Sequence, residues 1–125
     1  MGTQIYAIGG TLPERVSVEI CTSDTAWMAY YMAGWWVDKE KDMGEIGYDI
    51  WQPDRVNAEG VKKANELLPE TLAEYRVWAQ SYPNPSGQGC AFAGENEGRT
   101  EENYRRARDF IREAASYGCF LYISY

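Results

Sequence analysis

Three stretches of the chain have the composition of β-strands, and in the last two of them apolar and polar residues alternate, as is typical of strands with one buried face. The first stretch covers residues 4–8 and the second covers residues 15–21, with the turn-forming sequence GGTLP between them. The third stretch covers residues 45–51 and follows a charged turn. We therefore predict three strands, and we expect the first two to pair as an antiparallel hairpin or meander.

Residues 24–38 have helical spacing but no polar stripe. At about 100° per residue, tryptophan, methionine and tyrosine side chains fill one half of the circumference, and mainly alanine, glycine and valine fill the other. Helices that are apolar on all sides are usually buried, so we predict a helix packed between the sheet and another helix. Trp35 and Trp36 are adjacent and cannot both point into the same core. One of them is therefore a candidate surface anchor.

Three more helices are predicted in the second half of the chain. Their expected limits are Asp54 or Asn57 to about Leu68, Pro69 to about Tyr82, and Thr100 to Gly118. Apolar residues recur at helical spacing on the inner faces: Val56, Val61, Ala64 and Leu68 in the first, Leu72, Tyr75, Ala79 and Tyr82 in the second, and Tyr104, Ala107, Ile111 and Ala114, with Phe110 beside them, in the third. Each repeat indicates a helix with one side against the core.

The last segment, residues 119–125, is apolar on both of its alternating faces. This pattern predicts a central strand that is covered on both sides. Together, the elements predict the α+β class, with a small, mainly antiparallel or mixed sheet of about four strands and about four helices packed on it. We expect a single domain over residues 1–125, with a long Gly- and Pro-rich loop at residues 83–99.

Composition excludes several kinds of chemistry. The chain has no histidine, which rules out Ser-His-Asp and Cys-His catalysis and histidine-based zinc sites. Cys21, Cys90 and Cys119 are far apart and show no CxxC spacing, so we expect buried free thiols in a reducing compartment. The N-terminal sequence has neither a basic leader nor a long apolar stretch, and we expect a cytoplasmic protein without a signal peptide.

The charge of the chain is negative and unevenly distributed. The formal net charge is −7, and residues 1–54 carry nine acidic and three basic residues, against ten and nine in residues 55–125. Such a chain is repelled by nucleic acid phosphates and anionic membranes and attracted to basic protein surfaces. We therefore expect neither direct nucleic acid binding nor membrane binding, and we expect a basic protein partner.

The most acidic part of the chain is residues 38–54, with six acidic residues and two lysines. One interpretation is a solvated turn between a helix and a strand. The alternative is a negative rim around an exposed tryptophan, which suits a basic partner surface. The sequence DKEKD does not match the EF-hand calcium loop, because lysines occupy the positions between the acids. We expect neither a metal nor another cofactor.

Catalytic motifs are not recognisable in the chain. A carboxylate pair for glycoside hydrolysis needs a geometry that sequence spacing does not define. The sequence GQGCAFAG lacks the lysine of a phosphate-binding loop. Arginines of the last predicted helix, Arg105, Arg106, Arg108 and Arg112, have acidic neighbours at helical spacing, which predicts a self-neutralised face, with an anion site at Arg108 and Arg112 as the alternative. We do not expect an enzyme.

These observations favour a small acidic interaction protein that binds and inhibits a basic, nucleic-acid-handling protein. Its size and charge are analogous to those of immunity proteins, anti-restriction proteins and phage anti-CRISPR inhibitors. The predicted partner-binding residues are Trp35, Trp36, Asp38, Asp42, Glu45, Asp49 and Trp51. Two alternatives remain open: a small-molecule binding domain with an aromatic pocket, and a homo-oligomeric structural protein.

Overall fold

The computed structural model of the chain describes residues 2–34, 48–49, 52–81 and 100–124. These residues form five β-strands and four α-helices, which confirms the predicted α+β class. In chain order the elements are β1 (Gln4–Ile8), β2 (Glu19–Ile20), α1 (Ser23–Gly34), β3 (Tyr48–Asp49), β4 (Gln52–Val56), α2 (Ala58–Leu67), α3 (Leu72–Ser81), α4 (Glu101–Ser116) and β5 (Phe120–Ser124). The predicted loop at residues 83–99 lies outside the described residues.

The five strands form one antiparallel sheet in the order β2-β1-β5-β4-β3. β5 is the central strand, as predicted, and it pairs with β1 over five residues. Ile5 lies opposite Ile123, and Ala7 lies opposite Leu121. All four of these side chains are buried, whereas the alternate residues of both strands are partly or largely exposed. One face of the sheet is therefore the floor of the core.

The helices pack on this buried face. α1 contacts β1 and β5 as well as α2 and α4, and its residues Met28, Ala29, Met32 and Ala33 are almost fully buried. These contacts explain why α1 has no polar stripe, because the sheet and two helices surround it. They confirm the predicted burial of this helix over the part that the structure describes. None of the described helices has both the length and the apolar character needed to cross a lipid bilayer.

The second predicted strand, residues 15–21, is wrong in length, since only Glu19–Ile20 is a strand. The preceding residues form turns instead, in which the Val16 N–H donates to the Pro13 carbonyl oxygen at 3.0 Å. Gly10 directs this connection toward the end of α4. Its φ is 58°, and a Cβ atom there would collide with the Tyr117 carbonyl oxygen. Only glycine fits this backbone approach without rearrangement.

Strand β4 was not predicted, and Val56 was wrongly assigned to a helix. Pro53 and Asp54 are rare inside strands, and Asp54 also resembles a helix cap. The structure places Val56 at the end of β4, fully buried against the core. Asn57 caps α2 instead, because its side-chain Oδ1 accepts the Gly60 N–H at 2.8 Å. This capping was one of the two predicted alternatives.

The predicted start of α3 at Pro69 is also wrong. α3 begins at Leu72, after Thr71, whose Oγ1 accepts the Glu74 N–H at 3.2 Å. The threonine cap satisfies a backbone donor at the helix start, which proline at position 69 cannot do. Inward positions Leu72 and Tyr75 are buried as predicted.

Both predicted ends of α4 are confirmed. Thr100 Oγ1 accepts the Asn103 N–H at 3.1 Å at the N-terminal end. At the C-terminal end, Gly118 has a φ of 70°, and the Cys119 N–H donates to the Ala114 carbonyl oxygen at 3.0 Å. This is a Schellman motif, in which glycine at the left-handed position ends the helix. It turns the chain directly into the central strand.

The central position of β5 is confirmed, and the coverage of its second face stays a prediction. Its outward residues Phe120 and Tyr122 are half-buried, whereas Leu121 and Ile123 lie in the core together with residues of the helices. Apolar residues on both faces of a strand usually indicate two covering layers. Here the outward aromatic rings lie against an arginine side chain of β4.

Candidate functional site

The predicted partner-binding residues fall almost entirely outside the described part of the chain. Those outside it are Trp35, Trp36, Asp38, Asp42, Glu45 and Trp51. For Asp49, the structure gives the backbone position, in β3 at one edge of the sheet. β3 pairs with β4, with Asp49 opposite Gln52. The acidic segment of residues 38–49 therefore runs into an edge strand.

The described tryptophans, Trp27 and Trp78, are both half-buried. The Trp27 Nε1–H donates to the Thr3 Oγ1 at 3.0 Å, and its ring meets the Tyr30 ring edge-on at 5.9 Å. The Trp78 ring packs against the buried Tyr75, with 5.9 Å between ring centroids. Both tryptophans therefore contribute to packing within the fold.

A row of four side chains crosses the sheet face opposite the helices. Glu19 of β2, Tyr6 of β1, Tyr122 of β5 and Arg55 of β4 occupy directly opposite positions on successive strands. We call these four residues the cross-sheet row. Glu19 is exposed, and the other three side chains are half-buried. The row thus has a carboxylate at one end, a guanidinium group at the other and two phenol rings between them.

Arg55 stacks on aromatic rings instead of pairing with a carboxylate. Its guanidinium carbon lies 5.3 Å from the Phe120 ring centroid and 5.8 Å from that of Tyr122. These distances fall in the range of cation–π interactions. Its Nε atom is buried and has no hydrogen-bond partner among the residues that the structure describes. Within the described residues, no carboxylate forms an ion pair with it.

Arg108 and Arg112 of α4 behave differently, because acidic residues and an amide bind them. Arg108 is buried, and its two Nη atoms donate to the side-chain Oδ1 and the main-chain oxygen of Asn65, at 2.8 and 2.7 Å. Glu70 lies 3.7 Å from Arg108 and also forms an ion pair with Arg112. Arg112 is further bonded to Asp109 at 2.8 Å. The carboxylate of Glu70 therefore occupies the position between Arg108 and Arg112 that the sequence suggested for an anion.

Burial and ion pairing shift pKa values in this cluster. The hydrogen bond from Arg112 holds the pKa of Glu70 below its usual value, with a further contribution from Arg108. Burial lowers the pKa of Arg108, although the charge of Glu70 opposes the shift. Burial raises the pKa of Tyr104, whose O–H donates to the Pro69 carbonyl oxygen at 2.5 Å. These groups hold the connection between α2 and α3 against α4, so their role is structural.

An apolar groove of about 470 Å³ lies along α3. It is lined by Pro69, Ala73, Glu74, Val77 and Trp78. Val77 is 69% exposed, so its side chain is accessible to a ligand. The volume lies within the range of small-molecule pockets, although the groove is open to solvent.

The cysteine prediction is partly confirmed. Cys119 is buried at the start of β5, and burial raises the pKa of its thiol. Cys21 is exposed, contrary to expectation, because it follows the inward Ile20 and so points to the other side of the strand. Cys90 lies outside the described residues. In the part of the chain with described coordinates, no group of three or more acidic or cysteine residues is placed to hold a metal ion.

Comparisons of the chain with protein-family models, with curated proteins and with solved structures found no match. The functional argument therefore depends on the residues of this chain. Sequence reasoning missed Arg55 and Glu19, which the fold brings into one row. The outward positions of Tyr6 and Tyr122 follow from strand alternation, but the place of Arg55 beside them depends on the unpredicted strand β4.

Proposed function

We propose that the chain is an interaction protein that captures a basic protein partner through the acidic segment of residues 38–49. The net charge of −7 and its concentration in residues 1–54 support this proposal. Charge of one sign on one part of a surface raises the rate of association with an oppositely charged partner and disfavours partners of the same sign.

The observation that carries the proposal is the position of β3. The acidic segment ends in Tyr48–Asp49, and β3 is the outermost of the described strands on its side of the sheet. The chain at Asp49 therefore lies at the rim of the fold. Edge strands are common places for a protein to meet another chain, because one row of their backbone groups is unused within the sheet.

Within this proposal, four carboxylates steer the association with the partner. They also mimic the phosphates of the nucleic acid that the partner would otherwise bind. These carboxylates belong to Asp38, Asp42, Glu45 and Asp49. Trp35, Trp36 and Trp51 supply apolar area, since tryptophan is enriched at the centres of protein interfaces. The partner is blocked because the acidic segment competes with its nucleic acid. Such a role fits a cytoplasmic inhibitor that acts by binding alone.

Matched charge variants test the proposal. The test variant combines Asp38→Asn, Asp42→Asn, Glu45→Gln and Asp49→Asn, and the control combines Glu59→Gln, Glu66→Gln, Glu102→Gln and Glu113→Gln. Both sets remove four negative charges, but the control residues are exposed acids of α2 and α4. Proteins captured by the immobilised chain at low salt are identified by mass spectrometry and purified for kinetic measurement.

We expect the association rate of a captured basic protein to fall about tenfold or more for the test variant and to change little for the control. The wild-type rate should also fall as ionic strength rises, since surface charges are screened by salt. Equal rates for the two variants would contradict the proposed binding segment. Retention of no basic protein at low salt would contradict the proposed function itself.

The groove along α3 supports a second candidate function, the binding of a small molecule with an apolar or aromatic group. Val77 and Trp78 provide the apolar lining, and Glu74 provides a negative charge beside it. A thermal-shift screen against nucleotides, sugars and aromatic amines tests this function, because a ligand that binds the folded state raises the melting temperature. The variant Val77→Asp places a charge in the groove. A ligand that raises the melting temperature of this variant as much as that of the wild type would bind elsewhere.

A further inference from the structure

The two ends of the cross-sheet row carry opposite charges, and neither charge has an ionic partner among the described residues. Glu19 is exposed, and within the described residues it makes no ion pair or hydrogen bond through its side chain. Arg55 likewise has no ionic partner there, and its Nε atom is buried without an acceptor. Neighbouring strands are about 4.8 Å apart, so three strand spacings separate the two residues by about 14 Å. They do not neutralise each other within one chain.

We propose that this face of the sheet binds a second copy of the same chain in a two-fold symmetric dimer. A two-fold axis that runs parallel to the strands, between β1 and β5, reverses the order of the row in the second copy. Glu19 of each copy then faces Arg55 of the other, and the tyrosines meet in the middle. The row is therefore complementary to itself, which is the requirement for a symmetric interface.

The residues between the charged ends favour such packing. Tyr6 and Tyr122 are directly opposite each other in the register of β1 and β5, and both are half-buried rather than solvated. Ile8 is 40% exposed, and Phe120 lies opposite it on the same face. Two sheets can pack face to face at about 10 Å when both present apolar and aromatic side chains. Aromatic residues at the centre with charges at the rim resemble the usual organisation of protein interfaces.

We expect the dimer to be weak and concentration-dependent. The strands have at most five residues, so the contact area is small compared with that of a stable dimer. Two chains of net charge −7 also repel each other over distances longer than an ion pair. Added salt weakens both this repulsion and the two ion pairs, and salt dependence alone therefore does not test the proposal.

The dimer proposal does not depend on the proposed basic partner. It uses residues of β1, β2, β4 and β5, whereas the partner is assigned to residues 38–49. Neutralisation of Asp38, Asp42, Glu45 and Asp49 should leave self-association intact or strengthen it, since four repelling charges are removed from each copy. The two proposals can therefore fail separately.

Charge reversal at the two ends provides the test. Sedimentation velocity over a wide range of concentrations measures self-association of the wild type, Glu19→Arg and Arg55→Glu. Each single variant places like charges against each other at both ends of the interface, and we expect its dissociation constant to rise about tenfold or more. The double variant Glu19→Arg/Arg55→Glu restores opposite charges at both contacts, and we expect it to dimerise again.

Mixing the two single variants gives a stronger result. In a heterodimer of Glu19→Arg with Arg55→Glu, both contacts again join opposite charges, so a 1:1 mixture should dimerise although neither variant does so alone. Only a two-fold interface that pairs position 19 with position 55 predicts this recovery. A misfolded variant cannot produce it, and circular dichroism with thermal unfolding checks each variant independently.

The matched controls are Glu113→Arg and Arg106→Glu, which make the same charge changes at exposed positions of α4. They should dimerise as the wild type does, both alone and mixed. A wild type that stays monomeric at every concentration would overturn the proposal. So would single variants that dimerise as well as the wild type, or a mixture of folded single variants that remains monomeric.

Discussion

Arg108 and Arg55 are the same residue type in two different settings of one small fold. Arg108 lies in the helical layer, 3% exposed, with its Nη atoms bonded to Asn65 and with Glu70 at 3.7 Å. Arg55 lies on the opposite face of the sheet, over the rings of Phe120 and Tyr122. In both, the Nε atom is buried, and no described residue forms a hydrogen bond with it. The two arginines differ in what surrounds the rest of the guanidinium group.

This difference separates a structural charge from a charge that is available for binding. A buried guanidinium needs several acceptors to offset the loss of water, and Asn65 of α2 and Glu70 of the connection after it provide them around Arg108. Arg55 has aromatic faces, which accept a cation but leave its hydrogen-bonding edge without an acceptor. Within the described residues, no acidic side chain pairs with Arg55, although the chain has more acidic than basic residues. In the proposed dimer, Glu19 of the second copy supplies this partner.

The largest effect is expected when the structural arginine is removed. Arg108→Met keeps much of the side-chain volume but loses both hydrogen bonds to Asn65, and we expect the free energy of unfolding to fall by about 3 kcal/mol. Urea denaturation followed by circular dichroism measures it. The control is Arg105→Met, which removes an exposed arginine 3.9 Å from Glu101 and should cost less than about 0.5 kcal/mol. A loss below about 1 kcal/mol for Arg108→Met would contradict the structural role.

A smaller change in stability is expected at the other arginine, together with a large change in association. Arg55→Met removes two stacking contacts, which are worth about 1 kcal/mol or less at a half-exposed site. It also removes the charge that faces Glu19 of a second copy, so the dimer should weaken while the monomer remains folded. Denaturation at protein concentrations too low for dimers to form measures the change in stability. Sedimentation at concentrations where the wild type dimerises measures the change in association.

Arg55→Lys sharpens this second comparison. Lysine keeps the positive charge but lacks the planar group that stacks on Phe120 and Tyr122. We expect it to retain part of the association and to lose the same stability as Arg55→Met. If the variants at position 55 lost as much free energy of unfolding as Arg108→Met, both arginines would have a structural role. The proposed difference between Arg108 and Arg55 would then be wrong.

Much of the fold was predictable because its signals are local. The caps at Asn57 and Thr100 and the glycine at Gly118 each act within one helical turn. Thr100 and Gly118 are where the sequence predicted them, and Asn57 was one of two predicted alternatives. The burial of α1 followed from its composition alone. Strand β4 was missed because Pro53 and Asp54 oppose a strand locally, and pairing with β5 outweighs that preference.

The candidate sites were harder to predict, since they depend on the order of strands in the sheet. Arg55 and Phe120 are far apart in the chain, and nothing in their local sequence indicates that β4 lies beside β5. The same applies to Glu70, which reaches Arg108 and Arg112 only because α4 packs along the connection after α2. The partner-binding role of residues 38–49 stays a prediction from charge, supported by the edge position of β3.

The smallest expected effect is the pH dependence of the Glu70 ion pair. Arg112 holds the pKa of Glu70 below its usual value in the folded state, so the pair adds stability at neutral pH. Because the folded-state pKa is lowered, this contribution is complete above the pKa of an unpaired glutamate in the unfolded chain and is lost as the pH falls through the lower folded-state pKa. The side chain of Glu70 is 63% exposed, which limits the contribution to less than about 1 kcal/mol.

A double-mutant cycle isolates this contribution from the other bonds of Arg112. Unfolding free energies of the wild type, Glu70→Gln, Arg112→Gln and the double variant give the coupling between the two side chains, and the bond from Arg112 to Asp109 cancels. We expect a favourable coupling at neutral pH that disappears in acid, when Glu70 is protonated. A coupling that is the same at both pH values would show that the carboxylate charge does not hold the connection between α2 and α3 onto α4. The arginine that stabilises this region would then be Arg108 alone, through its bonds to Asn65.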